Sequence, residues 1–154
     1  MAFISRENYD VGGGAVMGRT AEIYGVYLIF SSIAAFGVIY IISRIFYPNR
    51  SISNSSLFIA ALVPATALTV MEMALGWMFP GYQYLILMLS VIGAVAGSIW
   101  PLRSDGEDGL PLSGAISAGL LACIAVVFVA SPLAEIAVLK IGLNFVSLRE
   151  IQQK

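Results

Sequence analysis

Four long apolar runs, each about the length of a bilayer crossing, take up most of the chain, and polar residues gather between them. The first begins at Ile23 and meets no charged residue before Arg44. The second, 57–79, holds one proline, Pro64, and one carboxylate, Glu72. The third and fourth cover about 84–100 and 114–139. A hydrocarbon core about 30 Å thick needs roughly 20 apolar residues of helix to cross it. The pattern therefore predicts an all-α integral membrane protein, a bundle of four transmembrane helices at about 23–44, 57–79, 84–100 and 114–139, joined by short loops. The bundle occupies 22–140. Residues 1–21 are expected to form a flexible tail, because Gly12, Gly13 and Gly14 leave the backbone very free. Residues 141–154 are expected to form a short carboxyl-terminal tail, since their apolar and polar positions alternate irregularly.

Small residues recur at helical spacing within the runs. Ala61, Ala65, Thr69, Glu72 and Gly76 fall on one side of the second helix. Ser90, Gly93 and Gly97 are expected to share a face of the third, and Gly114, Ala118, Ala122 and Ala125 a face of the fourth. Such faces let helix backbones approach closely in lipid, where helices have no hydrophobic drive to associate. The G-x-x-x-G spacing of Gly93 and Gly97 fits a contact within the bundle or with another chain. Trp77, Tyr82 and Tyr84 cluster about a very short connection, and Trp100 marks the third exit. Aromatic residues of this kind form belts at membrane surfaces. The short connection makes helices two and three antiparallel neighbours. Pro132 leaves two choices for helix four: to end there, or to continue through a kink towards Lys140.

The first loop, YPNRSISNSS, and the third, PLRSDGEDGLPLS, are polar. Two N-x-S tripeptides, at Asn49 and Asn54, are of the kind polar loops produce by chance. The D-G-E-D run lacks the alternating ligands and closing Glu of a twelve-residue calcium loop, so it reads as a solvated acidic turn.

Two carboxylates lie within or near the spans. An ionisable residue inside a membrane marks a functional candidate by default. Glu72 stands fifteen residues into its run and seven from its end, with no basic residue at comparable depth. Three roles fit it: a hydrogen-bonding clamp to Ser31, Ser32 or Ser90 of a facing helix, a proton or cation relay, or a pair with a basic residue of another subunit. Glu135 lies nearer the surface and reads as a solvated helix end.

Composition narrows the chemistry. Apolar residues make up 59% of the 154 and charged residues 11%, against about a quarter charged in soluble domains. The surface thus faces lipid. A net charge of −1 gives no basic field for nucleic acid. Histidine is absent, which removes histidine-ligated haem and histidine acid–base chemistry. The lone cysteine, Cys123, sits mid-run and reads as packing. No cofactor or metal is expected. Four spans put both termini on one side. That side carries Arg6, Arg19, Lys140, Arg149 and Lys154, against Arg44, Arg50 and Arg103 on the other. The excess points to cytoplasmic termini, in a bacterial inner membrane. The expected function is a non-catalytic multipass subunit that packs by small-residue faces into a larger membrane complex. The alternative is a small oligomeric transporter or channel coupled through Glu72. The expected partners are the lipid bilayer and other membrane subunits.

Overall fold

The computed structural model describes the backbone of residues 13–78 and 80–152, and the side chains of 22–71, 81, 82 and 84–141. The described residues are helices and turns, with no strand among them. Four helical segments are long and apolar enough to span a membrane. The first combines α1 (Gly13–Ile41) with a wider π-turn, Ile42–Phe46. The second is α2 (Asn54–Met78) and the third α3 (Gln83–Arg103). The fourth is α4 (Leu112–Ala125), a second π-turn at Val126–Ala130, and α5 (Ser131–Gln152). Neighbours in sequence pack against each other, and α4 and α5 return to α1, which closes an up-and-down bundle.

The helices outrun their apolar runs at several ends. α1 begins at Gly13, so residues 13–21 are helical where a flexible tail is expected. Once a long helix exists, each further residue adds a hydrogen bond without a new nucleus, and that offsets the roughly 1 kcal/mol that a helical glycine costs. The remainder of that tail, residues 1–12, lies outside the described residues. At the other terminus α5 runs to Gln152, through the segment expected to be an irregular tail. α3 likewise continues past Trp100 to Arg103.

Helix four continues through Pro132, and the second π-turn shows how. In an α-helix the proline ring would press on the carbonyl four residues back, that of Phe128, and the ring nitrogen could donate no bond. Here the preceding turn is widened, and the Ser131 N–H donates to Val126 oxygen five residues back. The first π-turn likewise ends just before a proline. Tyr47 leaves the helical region at φ −130°, ψ 56°, as the residue before Pro48 must. α2 instead runs unbroken through Pro64, which is buried.

The core is built of small residues along the seams and a few large ones between them. Ala35, Ala61, Ala65, Ala94, Ala118 and Ala122 are buried, as are Ile39, Leu57 and Leu68. Three glycines mark close approaches. A methyl group on Gly97 would stand 2.6 Å from Val63, and one on Gly119 2.9 Å from Ser98 Oγ and 3.3 Å from the Val95 backbone. One on Gly114 would stand 2.7 Å from the Tyr47 hydroxyl. The α2–α3 and α3–α4 seams thus each use a glycine, and a third lets α4 meet Tyr47 at the end of the first span. Around this core Ile33, Met88, Ile92, Phe128 and Leu139 are exposed, which suits a surface that meets hydrocarbon.

Candidate functional site

At the loop end the connections are folded together. Ile52 and Leu110 are buried, and the Leu110 N–H donates to Leu102 oxygen at 2.8 Å. Above this apolar plug sits a polar clasp. The Ser53 side chain accepts from the Ser56 N–H at 3.1 Å and so caps α2. Asp105, 52 residues further on, accepts from the Ser53 N–H at 2.9 Å and from the Ser56 hydroxyl at 3.1 Å. A carboxylate there is favoured by the positive end of the α2 dipole. The third loop is therefore a tether on the first, and Asp105 is half-buried where a solvated turn is expected. The turn itself relies on Gly106, at φ +64°, and on Gly109, where a methyl would stand 2.9 Å from the Arg103 backbone. Glu107 and Asp108 remain exposed. No group of three His, Cys, Asp or Glu side chains comes together among the described residues. Arg44 donates to Asn54 at 3.3 Å and lies over the Tyr40 ring, 5.6 Å from its centre.

Within the spans the buried hydroxyls are satisfied locally. Ser90 donates to Ile86 oxygen and Ser98 to Ala94 oxygen, both at 2.7 Å. Ser43 does the same to Tyr40 oxygen at 2.9 Å. Thr69 instead reaches across helices: its Oγ1 lies 3.5 Å from the Ser31 hydroxyl of α1, to which it donates. Glu72 follows in α2 one turn after Thr69, about 9 Å of helix rise before Met78. Its side chain, with those of Gly76 and Trp77, lies outside the described residues. Glu135 is half-buried on α5. Tyr82, Tyr84 and Trp100 are exposed, at 63%, 86% and 76%.

The small residues divide differently from the expected faces. Ala61, Ala65, Thr69, Gly114, Ala118 and Ala122 are all buried within the chain's own seams. In α3 the three residues expected on one face separate. Ser90 is buried, whereas Gly93 and Gly97 are both exposed; a methyl on Gly97 would meet Val63 of α2, and one on Gly93 would meet nothing within 4 Å. Gly93 lies in an exposed row with Leu85, Leu89, Ile92, Ala96 and Trp100. These spacings of three and four form a continuous stripe along one side of α3.

A second outward feature lies between α1 and α4. It is an apolar cleft of about 400 Å³, open on one side and lined by residues including Val38, Ile42, Phe46, Leu121, Ala125 and Phe128. Both π-turns contribute to it. Apolar periodicity does not reveal such a cleft, because its lining residues look like any lipid-facing positions.

No protein-family model matches the chain, and no curated protein or solved structure is similar to it.

Proposed function

We propose that this four-span membrane protein is a non-catalytic subunit of a larger membrane assembly, held laterally through the outer side of α3. Gly93 carries the reading. Ala61, Ala65, Thr69, Gly114, Ala118 and Ala122 are buried in this chain's own packing, whereas Gly93 opens outwards in a row of exposed apolar residues. A glycine in a helix costs about 1 kcal/mol relative to alanine, and among the described residues nothing comes close enough to need one there. Close approach by a neighbouring helix would need it. The subunit sits in a bacterial inner membrane with both termini in the cytoplasm.

The test is purification from the native membrane in mild detergent, with the assembly mass measured for wild type and for Gly93→Leu. The wild type should run well above the mass of one chain. The variant should dissociate while keeping its own thermal stability. A wild type that runs as a single chain, or a Gly93→Leu assembly of unchanged mass, would overturn the reading.

A second reading is ion coupling through Glu72 in an oligomer. It draws on the Thr69–Ser31 contact, which places hydroxyls between α1 and α2 one turn from Glu72. Under that reading Glu72→Gln abolishes ion flux in liposomes, and unchanged flux removes it.

A further inference from the structure

We propose that the cleft between α1 and α4 seats one acyl chain of a membrane glycerophospholipid, with Arg50 holding the phosphate at the cleft's outer end. The cleft lies within the apolar spans, so its open side meets the hydrocarbon of the bilayer and not water. Its walls favour a flexible chain over a protein helix. Helices associate in lipid across small residues, but these walls are bulky: Phe46 and Phe128 stand 71% and 73% exposed on either side, and Ala125 is the small residue of the lining. What remains between them is a furrow.

The outer end has the complementary polar chemistry. Phe46 closes the first π-turn, and the chain then doubles back so that the Arg50 N–H donates to Tyr47 oxygen at 3.0 Å. Tyr47 packs against Gly114 of α4, on the other side of the same seam. Arg50 is therefore tied by its backbone to the point where α1 and α4 meet the membrane surface. Its side chain is exposed and bonded to no described residue, whereas Arg44 is engaged by Asn54 and Tyr40. A guanidinium offers a planar pair of donors suited to a phosphate. Three arginines on that side, Arg44, Arg50 and Arg103, are balanced by Asp105, Glu107 and Asp108. No net field draws anions there, so recognition is a local contact with the phosphate that all glycerophospholipids share.

Native mass spectrometry of the detergent-purified protein tests this with three added lipids of equal acyl chains: phosphatidylglycerol, phosphatidylcholine and diacylglycerol. Wild type should retain one molecule of either phospholipid per chain, and diacylglycerol about tenfold less, as loss of a charged contact of about 1.4 kcal/mol implies. Arg50→Gln should bring the phospholipids down to the diacylglycerol level. Ala125→Trp, which fills the furrow, should abolish retention of all three. Leu121→Trp does the same from a position already 46% exposed, which separates blockage from misfolding. Ile29→Trp, on the lipid-facing surface of α1 away from the cleft, should retain lipid as wild type does. A wild type that retains no lipid, or tryptophan variants of the cleft that retain as much as Ile29→Trp, would overturn the seat. Equal retention of phospholipid and diacylglycerol in wild type would overturn the role of Arg50.

Discussion

Replacing Gly119 and Gly93 by alanine should move stability in opposite directions. Both are helical glycines in apolar spans, so alanine gains about 1 kcal/mol of helix propensity at each. At Gly93 that gain is unopposed, because a methyl there meets nothing within 4 Å. At Gly119 the methyl arrives 2.9 Å from Ser98 Oγ and 3.3 Å from Val95 Cα. Ser98 cannot move without losing its 2.7 Å bond to Ala94 oxygen, and the Val95 contact is backbone. Overpacking of this kind costs about 1–3 kcal/mol. Gly93→Ala should therefore be more stable than wild type by up to about 1 kcal/mol, and Gly119→Ala less stable by up to about 2 kcal/mol. Reversible unfolding of the monomer in mixed detergent micelles measures both. A Gly119→Ala protein as stable as Gly93→Ala would show that the α3–α4 seam is not as close as the structure has it.

Other perturbations probe the remaining elements. Asp105→Ala removes the acceptor for two hydrogen bonds of the clasp and should lower stability by about 1–3 kcal/mol, with Asp105→Asn losing less, in the same unfolding assay. Pro132→Ala removes the ring that keeps the preceding turn wide, so the second π-turn should tighten to α. Spin labels at Leu112→Cys and Ile141→Cys, in a Cys123→Ala background, should then report a changed separation; an unchanged one would show that proline does not hold the turn open. Gly109→Ala should destabilise the third loop, because its methyl would meet the Arg103 backbone at 2.9 Å, and hydrogen exchange at the Leu110 N–H reads the loss.

The four spans were legible because one physical requirement, about 20 apolar residues per crossing, leaves a mark that no packing detail can hide. Their ends were less so. Gly13 and Gly14 argue locally against helix, yet α1 includes them, since extension of an existing helix is cheap. The π-turns were not legible. Pro48 and Pro132 each follow one, but Pro64 and Pro101 sit in ordinary helix, so proline alone does not announce the widening. The role of Asp105 depends on a serine 52 residues away, and the sequence shows only an acidic turn. Of the small-residue faces of α2 and α4, Ala61, Ala65, Thr69, Gly114, Ala118 and Ala122 are buried, while Ala125 lines the open cleft. Which glycine of the third helix lies against α2 was not legible, because Gly93 and Gly97 are both exposed, are equivalent to a spacing rule and differ only by where Val63 lies.

Cross-linking in the native membrane tests the proposed lateral assembly most directly. A photoreactive residue is placed singly at Leu89, Ile92 or Ala96 on α3, and at Ile29 or Ile33 on α1 as lipid-facing comparisons. Lateral assembly through α3 should give a discrete protein adduct from the three α3 positions, lost when Gly93→Leu is added, and only lipid adducts from the two α1 positions. Lipid adducts alone from Leu89, Ile92 and Ala96 would contradict it.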